Sequence, residues 1–124
     1  MAVSNVIKVV KVFTSTGITK NTSIEYMVDV TAMIGDTVGR MAYQYYVASA
    51  GAANVDITYT LSLDNVTYFT PGTTMIKEEI LPASSSTSGG AEYDFQLAPF
   101  MKFKAAETGN AADVTQLDLW VAFG

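Results

Sequence analysis

Apolar and polar residues alternate with a period of two along most of the chain, which is the pattern of strands that bury one face. The alternation is clearest over 55–63, where every odd-numbered residue is apolar or aromatic and every even-numbered residue is polar. The same pattern predicts further strands over 24–32, 41–47, 93–97, 101–105 and 114–123.

The first predicted strand, 6–13, departs from this pattern because apolar residues occupy both of its faces and its two lysines have opposite parity. A β-bulge, or a strand that is covered on both sides, is typical of such a sequence. If a second subunit supplies the cover, Val6, Val10 and Val12 form the interface. We then expect Val10→Asp to abolish assembly and to leave the isolated monomer folded.

Clusters of Gly, Ser, Asn, Asp and Pro separate the predicted strands at intervals of roughly ten residues. Many short strands at this spacing, with no helical period between them, predict an all-β sandwich or barrel, and the alternating faces favour antiparallel pairing. We therefore expect residues 1–124 to form a single antiparallel β-sandwich domain that is jelly-roll-like. An immunoglobulin-like sandwich is the alternative.

Two connecting segments have their own composition. The run PASSSTSGGAE, residues 82–92, is rich in Ser and Gly and predicts a loop. In SLDNVTYFTPG, residues 62–72, Asp64 and Asn65 predict the short turn of a hairpin. The tip of that hairpin lies at one end of a sandwich, where we expect Asp64 and Tyr68 to contact a neighbouring subunit.

The composition lacks the residues on which most catalytic sites depend. The chain contains no His and no Cys, so it lacks the commonest general base and the commonest ligands of transition metals. Its net charge is −5 and its seven basic residues are scattered, which argues against nucleic acid as a partner. No signal peptide or membrane-spanning segment is predicted. We expect a non-enzymatic protein without a cofactor, made in the cytoplasm.

Some turns carry side-chain oxygens that are suitable for a calcium ion. Asp64 with Asn65 forms one such group, and Glu107 with Asn110 and Asp113 forms another. The regular spacing of acidic residues found in dedicated calcium loops is missing from both. The preferred interpretation is that these side chains close turns, and no metal site is predicted.

Three aromatic residues fall on the outer faces of their strands by parity: Tyr46, Phe100 and Trp120. Outward-facing rings can anchor a protein interface or stack on sugar rings. Three interpretations remain open, namely that the rings are covered within the monomer, lie in a subunit interface, or belong to a sugar site.

Two stretches, VDITYTLSLDNVTYFTP at 55–71 and APFMKFKAAETGNAADVTQLDLWVAF at 98–123, resemble small virion proteins of tailed bacteriophages. In that group, a strand that ends in Asp-Asn or Asp-Gly precedes a polar-aromatic strand. A strand with a Pro-aromatic-basic-aromatic sequence then leads into a final apolar strand. The likeness covers residues 55–124.

The resemblance implies a structural protein of a phage head or tail, such as a decoration (cement) protein, that binds in symmetric copies to a larger capsid or tail protein. It implies a location in the virion and no catalytic residues. The alternative function is carbohydrate or receptor binding, with Trp120, Tyr46 and Tyr68 stacking on the ligand. The predicted interface residues are Val6, Val10, Val12, Tyr46, Asp64, Tyr68, Phe100 and Trp120.

Overall fold

Eight β-strands make up the regular structure in the computed structural model, which describes residues 8–30, 41–71, 75–82, 85–93 and 98–123. In chain order they are β1 (Lys8–Ile18), β2 (Ser23–Asp29), β3 (Met41–Ser49), β4 (Ala53–Ser62), β5 (Met75–Leu81), β6 (Ser86–Tyr93), β7 (Phe100–Glu107) and β8 (Val114–Phe123). Within these ranges, no helix is long and apolar enough to cross a bilayer.

The strands form two four-stranded sheets that pack as a sandwich. The first sheet has the order β1-β8-β3-β6 and the second has the order β2-β7-β4-β5, and every neighbouring pair is antiparallel. Most connections cross from one sheet to the other, as in a double Greek key, and the order differs from that of immunoglobulin domains. The predicted all-β, jelly-roll-like sandwich is therefore confirmed.

The core lies between the sheets and is built mostly from residues that the alternation assigned to inner faces, although Tyr26 of β2, which the same alternation assigns to the inner face, is 47% exposed. In β4, the side chains of Val55, Ile57, Tyr59 and Leu61 are all buried. Leu63 was predicted to continue this face, but β4 ends at Ser62 and Leu63 is 72% exposed. The local pattern thus gave the correct face for the strand and the wrong end.

The predicted irregularity of the first strand is a series of β-bulges. The register of β1 against β8 shifts at three places after Lys11, and both Val12 and Phe13 are buried in the core as a result. Ser15 has a positive φ of 45° within the same region. Bulges rotate a strand locally, so two consecutive side chains can point inwards.

This geometry corrects the interface expected on β1. Val12 is 4% exposed and belongs to the core, and Val10 is half-buried and packs against the same core. An aspartate at Val10 would therefore disturb the monomer, contrary to the expectation above. The outward-facing apolar residue of this strand is Val9, which is 65% exposed. Val6 lies outside the described residues.

The Ser/Gly run was predicted to be a loop, and the structure instead places strand β6 there from Ser86 onwards. Eight consecutive residues of β6 pair with β3 without a register shift. The two glycines allow a close approach, because a Cβ on Gly90 would lie 2.5 Å from the carbonyl oxygen of Tyr43. Pairing with a neighbouring strand has overridden the composition, as often happens in sheets.

Candidate functional site

The segment between β4 and β5 forms a closed loop, residues 62–69, called the tip loop below. Leu61 and Phe69 close it with two backbone hydrogen bonds of 3.0 and 2.8 Å. The predicted two-residue turn at Asp64 and Asn65 is therefore wrong in detail, because the chain returns over the whole tip loop. Asn65 has the positive φ, 60°, that tight loops require and asparagine tolerates.

Asp64 organises the tip loop from within. Its Oδ1 accepts hydrogen bonds from the backbone N–H groups of Val66 and Thr67, each at 2.9 Å, and from the hydroxyl of Ser62, also at 2.9 Å. The bond from Thr67, followed by those from Val66 and Ser62, lowers the pKa of Asp64. The carboxylate is thus occupied inside its own loop and shapes the surface indirectly.

The tip loop presents apolar side chains to solvent. Leu63 is 72% exposed, Val66 is 82% exposed and Phe69 is 48% exposed. Neighbouring exposed apolar residues are typical of interaction surfaces. Because internal hydrogen bonds already fix the backbone of the loop, binding through it requires little additional ordering.

Two more of the predicted interface residues are found here, Tyr68 within the tip loop and Phe100 beside it. The ring of Tyr68 lies over the ammonium of Lys102, with 4.1 Å from Nζ to the ring centroid, and its hydroxyl donates to Asn65. Phe100 is the register partner of Ser62 across the β4–β7 pair. The structure therefore brings Asp64, Tyr68 and Phe100 together at one end of the second sheet, which the sequence could not show.

A second surface is the outer face of the first sheet, where parity placed Trp120 and Tyr46. Trp120 is the register partner of Gln44, and Tyr46 is the partner of Asp118, so the two rings occupy diagonal positions on one face. Both are half-buried, and the Nζ of Lys11 lies 5.6 Å from the centroid of the Trp120 ring. Tyr68 lies in the tip loop, at the end of the other sheet, so the three predicted stacking residues do not form one site.

A cleft of about 310 Å³ opens at the β3–β6 border of the first sheet. Tyr43, Gln44, Ser88, Gly89 and Gly90 line it. The two glycines differ in position, because a Cβ on Gly89 would meet the buried ring of Tyr45, whereas a Cβ on Gly90 would meet the backbone of Tyr43 and Gln44. Gln44 connects the cleft to the aromatic surface, since it is the register partner of both Trp120 and Gly90.

Glu107 was expected to close a turn, and the structure shows that it also joins that turn to two distant parts of the chain. This residue is 1% exposed, and its two carboxylate oxygens accept hydrogen bonds from the backbone N–H groups of four residues at 2.8 to 3.0 Å: Asn21, Asn54, Gly109 and Asn110. Burial by itself would raise the pKa of Glu107, but the four bonds together lower it below its ordinary value.

This arrangement agrees with the interpretation of these acidic residues as turn-closing groups. The Oδ1 of Asp113 accepts the backbone N–H of Lys20 at 2.8 Å, so it too is engaged with the protein. Among the described residues, no group of three acidic side chains is arranged to hold a metal ion. A separate hydrogen bond links the two sheets: the buried hydroxyl of Tyr45 on β3 donates to the carboxylate of Glu79 on β5 at 2.6 Å.

Comparison with known proteins gives a fold but no family. The sequence matches no known protein family and no curated protein. Among solved structures, the CBM36-1 domain of a multidomain xylanase from the hindgut metagenome of Trinervitermes trinervoides aligns with a TM-score of 0.56 at 11% identity. That alignment covers 95% of this chain and 97% of the domain.

Two other alignments are of similar quality. The CBM22-1 xylan-binding domain of Paenibacillus barcinonensis Xyn10C has a TM-score of 0.51 at 14% identity, with 97% of this chain and 83% of the domain covered. Dimeric latent PorU from Porphyromonas gingivalis has a TM-score of 0.63 at 9% identity, with 94% of this chain but only 12% of PorU covered. Two structures of Tobacco streak virus coat protein also align, at TM-scores of 0.44 and 0.46. The three alignments with TM-scores above 0.5 show a shared fold and, at 9 to 14% identity, nothing further.

Proposed function

We propose that this chain is a non-enzymatic structural subunit of a virion, which docks on a larger capsid or tail protein through its tip loop. The observation that carries the proposal is the apolar surface of Leu63 and Val66 on a loop whose backbone is fixed by Asp64. A rigid, protruding apolar loop suits insertion into a pocket between larger subunits. The resemblance of residues 55–124 to phage virion proteins supports the same function.

A virion location is tested directly on particles. Antibodies raised against the purified chain are applied to tailed-phage particles from the same source, and the particles are viewed by electron microscopy. We expect labelling at symmetric positions on the head or tail. Absence of the chain from particles by mass spectrometry, while it is abundant in infected cells, would overturn the proposal.

The role of the tip loop is tested with the double variant Leu63→Asp, Val66→Asp. Both side chains are exposed, so we expect the variant to fold normally. We expect its affinity for particles stripped of the native chain to fall at least about tenfold, because a loss of about 1.4 kcal/mol of binding free energy has that effect. Sedimentation of the bound chain with the particles measures this.

Ile80→Asp is the matched control for the double variant. Ile80 is equally apolar and 64% exposed, but its register partner on β4 is Asn54, about 26 Å along the strand from Ser62 at ~3.3 Å per residue. We expect this control to bind like the unmodified chain. Equal binding by all three proteins would show that the tip loop is not the docking surface.

Carbohydrate binding is the second candidate, and the outer face of the first sheet favours it. Trp120 and Tyr46 lie on one face, and Gln44 and Ser88 border the adjacent cleft with hydrogen-bonding groups. Aromatic rings beside a few polar groups are typical of sugar sites. The shared fold with a xylan-binding domain is compatible with this function.

A glycan array distinguishes this candidate from the first. We expect a carbohydrate-binding chain to give signals that Trp120→Ala removes and that Tyr68→Ala leaves intact, because Tyr68 lies in the tip loop, away from the outer face of the first sheet. Silence of the unmodified chain across a broad array excludes the candidate. Loss of signal with Tyr68→Ala alone would instead place a sugar site beside the tip loop.

A further inference from the structure

Strand β6 is an edge strand without the features that normally prevent edges from pairing with other chains. It ends the first sheet, and among the described residues no strand pairs with its outer side. Residues 86–91 contain no charge and no proline, and the β3–β6 register has no bulge. Charges, prolines and bulges are the usual means by which proteins block such edges.

The other three edges of the sandwich do carry such features. Strand β1 has three register shifts against β8 and includes Lys11. Strand β2 carries Glu25 and Asp29, and β5 carries charged residues at three successive positions, 77–79. Among the described strands, β6 alone offers an edge that runs without a register shift and is uncharged over six consecutive residues, 86–91.

The hydrogen-bond pattern identifies which backbone groups of β6 face outwards. The N–H of Ser49 donates to the carbonyl of Ser85 at 3.0 Å. These two residues are next to the register pair of Ala48 and Ser86, so they form a hydrogen-bonded pair of the same ladder. Hydrogen-bonded and non-hydrogen-bonded pairs alternate in an antiparallel ladder. The N–H and C=O groups of Ser86, Ser88 and Gly90 therefore point away from β3, towards the open side.

We infer that the occupant of this edge is β6 of a second copy of the chain, paired antiparallel about a two-fold axis at Gly89. This register places Ser88 opposite Gly90 of the second copy, and both residues have outward-facing backbone groups. It also places Glu92, the one charged residue of β6, opposite a serine rather than opposite another carboxylate. The axis falls at a non-hydrogen-bonded pair, where Cα atoms approach most closely, to about 4.5 Å, and glycine suits that position.

The resulting dimer has one continuous eight-stranded sheet. An isologous two-fold contact of this kind is the commonest form of self-association. The inference rests on the proposed function in one respect, because it names the surface by which a structural subunit associates with itself. Docking through the tip loop involves the other sheet, so either surface can fail without the other.

The test is the native mass of the purified chain by light scattering over a range of concentrations. We expect the mass of two chains, and we expect Ser88→Pro to give the mass of one. Proline at this position removes an outward-facing N–H and leaves the hydrogen bonds to β3 in place. Ser88→Ala is the matched control, since it keeps the N–H and should remain dimeric. Circular dichroism establishes that each variant is folded.

Hydrogen exchange of the unmodified chain provides a second measurement that needs no variant. In a dimer, the amides of Ser88 and Gly90 exchange more slowly at high concentration than after dilution below the dissociation constant, whereas amides of the β2 edge do not change. A monomer at all concentrations, or a dimer whose β6 amides exchange equally fast at both concentrations, would refute the inference. If antibodies label the particles but the free chain is monomeric, the inferred dimer is refuted and the proposed function still stands.

Discussion

Replacing Glu107 by Gln is expected to lower the free energy of unfolding by about 3 kcal/mol, which corresponds to a fall of about 12 °C in the melting temperature. The four N–H groups that Glu107 accepts come from three separate parts of the chain: Asn21, Asn54 and the turn after β7. A glutamine amide directs its own N–H₂ at two of these donors, so two buried donors lose their acceptor. Thermal unfolding followed by circular dichroism measures the change.

Glu25→Gln is the control for this substitution. The Glu25 side chain is 50% exposed, and its ion pair with Lys102 is long, at 3.9 Å. Exposed pairs of this kind contribute little, so we expect a change within about 0.5 kcal/mol. If the two variants lose stability equally, the four hydrogen bonds of Glu107 have no special importance for the fold.

The pH dependence of the Glu107→Gln variant follows from the direction of the pKa shift. The pKa of Glu107 is lower in the folded chain than its ordinary value of 4.5. Its contribution is therefore complete above the unfolded pKa and is lost as the pH falls through the folded pKa. We expect the unmodified protein to lose more stability than the variant on acidification below about pH 4.5. A residual loss remains in the variant, because the pKa of Asp64 is also lowered.

Replacing Gly90 by Ala is expected to cost about 2 kcal/mol and about 8 °C in melting temperature. The new methyl group would lie 2.5 Å from the carbonyl oxygen of Tyr43 and 3.2 Å from the Cα of Gln44. Both are backbone atoms of the paired strand β3, so relief requires the β3–β6 ladder to open. The measurement is again thermal unfolding, with exchange of the β6 amides as a local readout.

Gly17→Ala is the matched control for Gly90→Ala. Gly17 is also in a strand, β1, and a Cβ there would lie 3.4 Å from the carbonyl oxygen of Val114, which is an ordinary contact. We expect its stability to be unchanged or slightly raised, because alanine restricts the unfolded chain. If both variants have the same melting temperature, steric contact at Gly90 is not what requires glycine in β6.

Strand β6 shows why sequence reasoning failed at some positions. The run of Ser and Gly has low intrinsic preference for a strand, and nothing local distinguishes it from a linker. It becomes a strand because β3 offers a complete ladder of partners about 45 positions earlier in the sequence. β5 was not identified either, since Ile80 faces solvent and Ile76 is buried, which obscures the alternation.

The candidate sites show a similar division between prediction and structure. Parity correctly placed Trp120 and Tyr46 on an outer face, because parity depends only on strand geometry. It could not show that they share one face with Gln44, which borders the cleft, or that Tyr68 lies in the tip loop at the end of the other sheet. Likewise, Asp64 was identified as a turn residue, but its role as the acceptor that fixes the tip loop depends on atoms that only a folded loop brings together.

The sequence by itself determined the class of the fold and the inner faces of most strands. Burial on one face imposes a period of two, and that period is a local property which each segment displays independently of its neighbours. The tertiary structure decided the strand order, the bulged course of β1, the strand at β6 and the burial of Glu107. Each depends on groups far apart in the chain, such as the N–H of Asn54 and the carboxylate of Glu107, and no local pattern records which distant groups will meet.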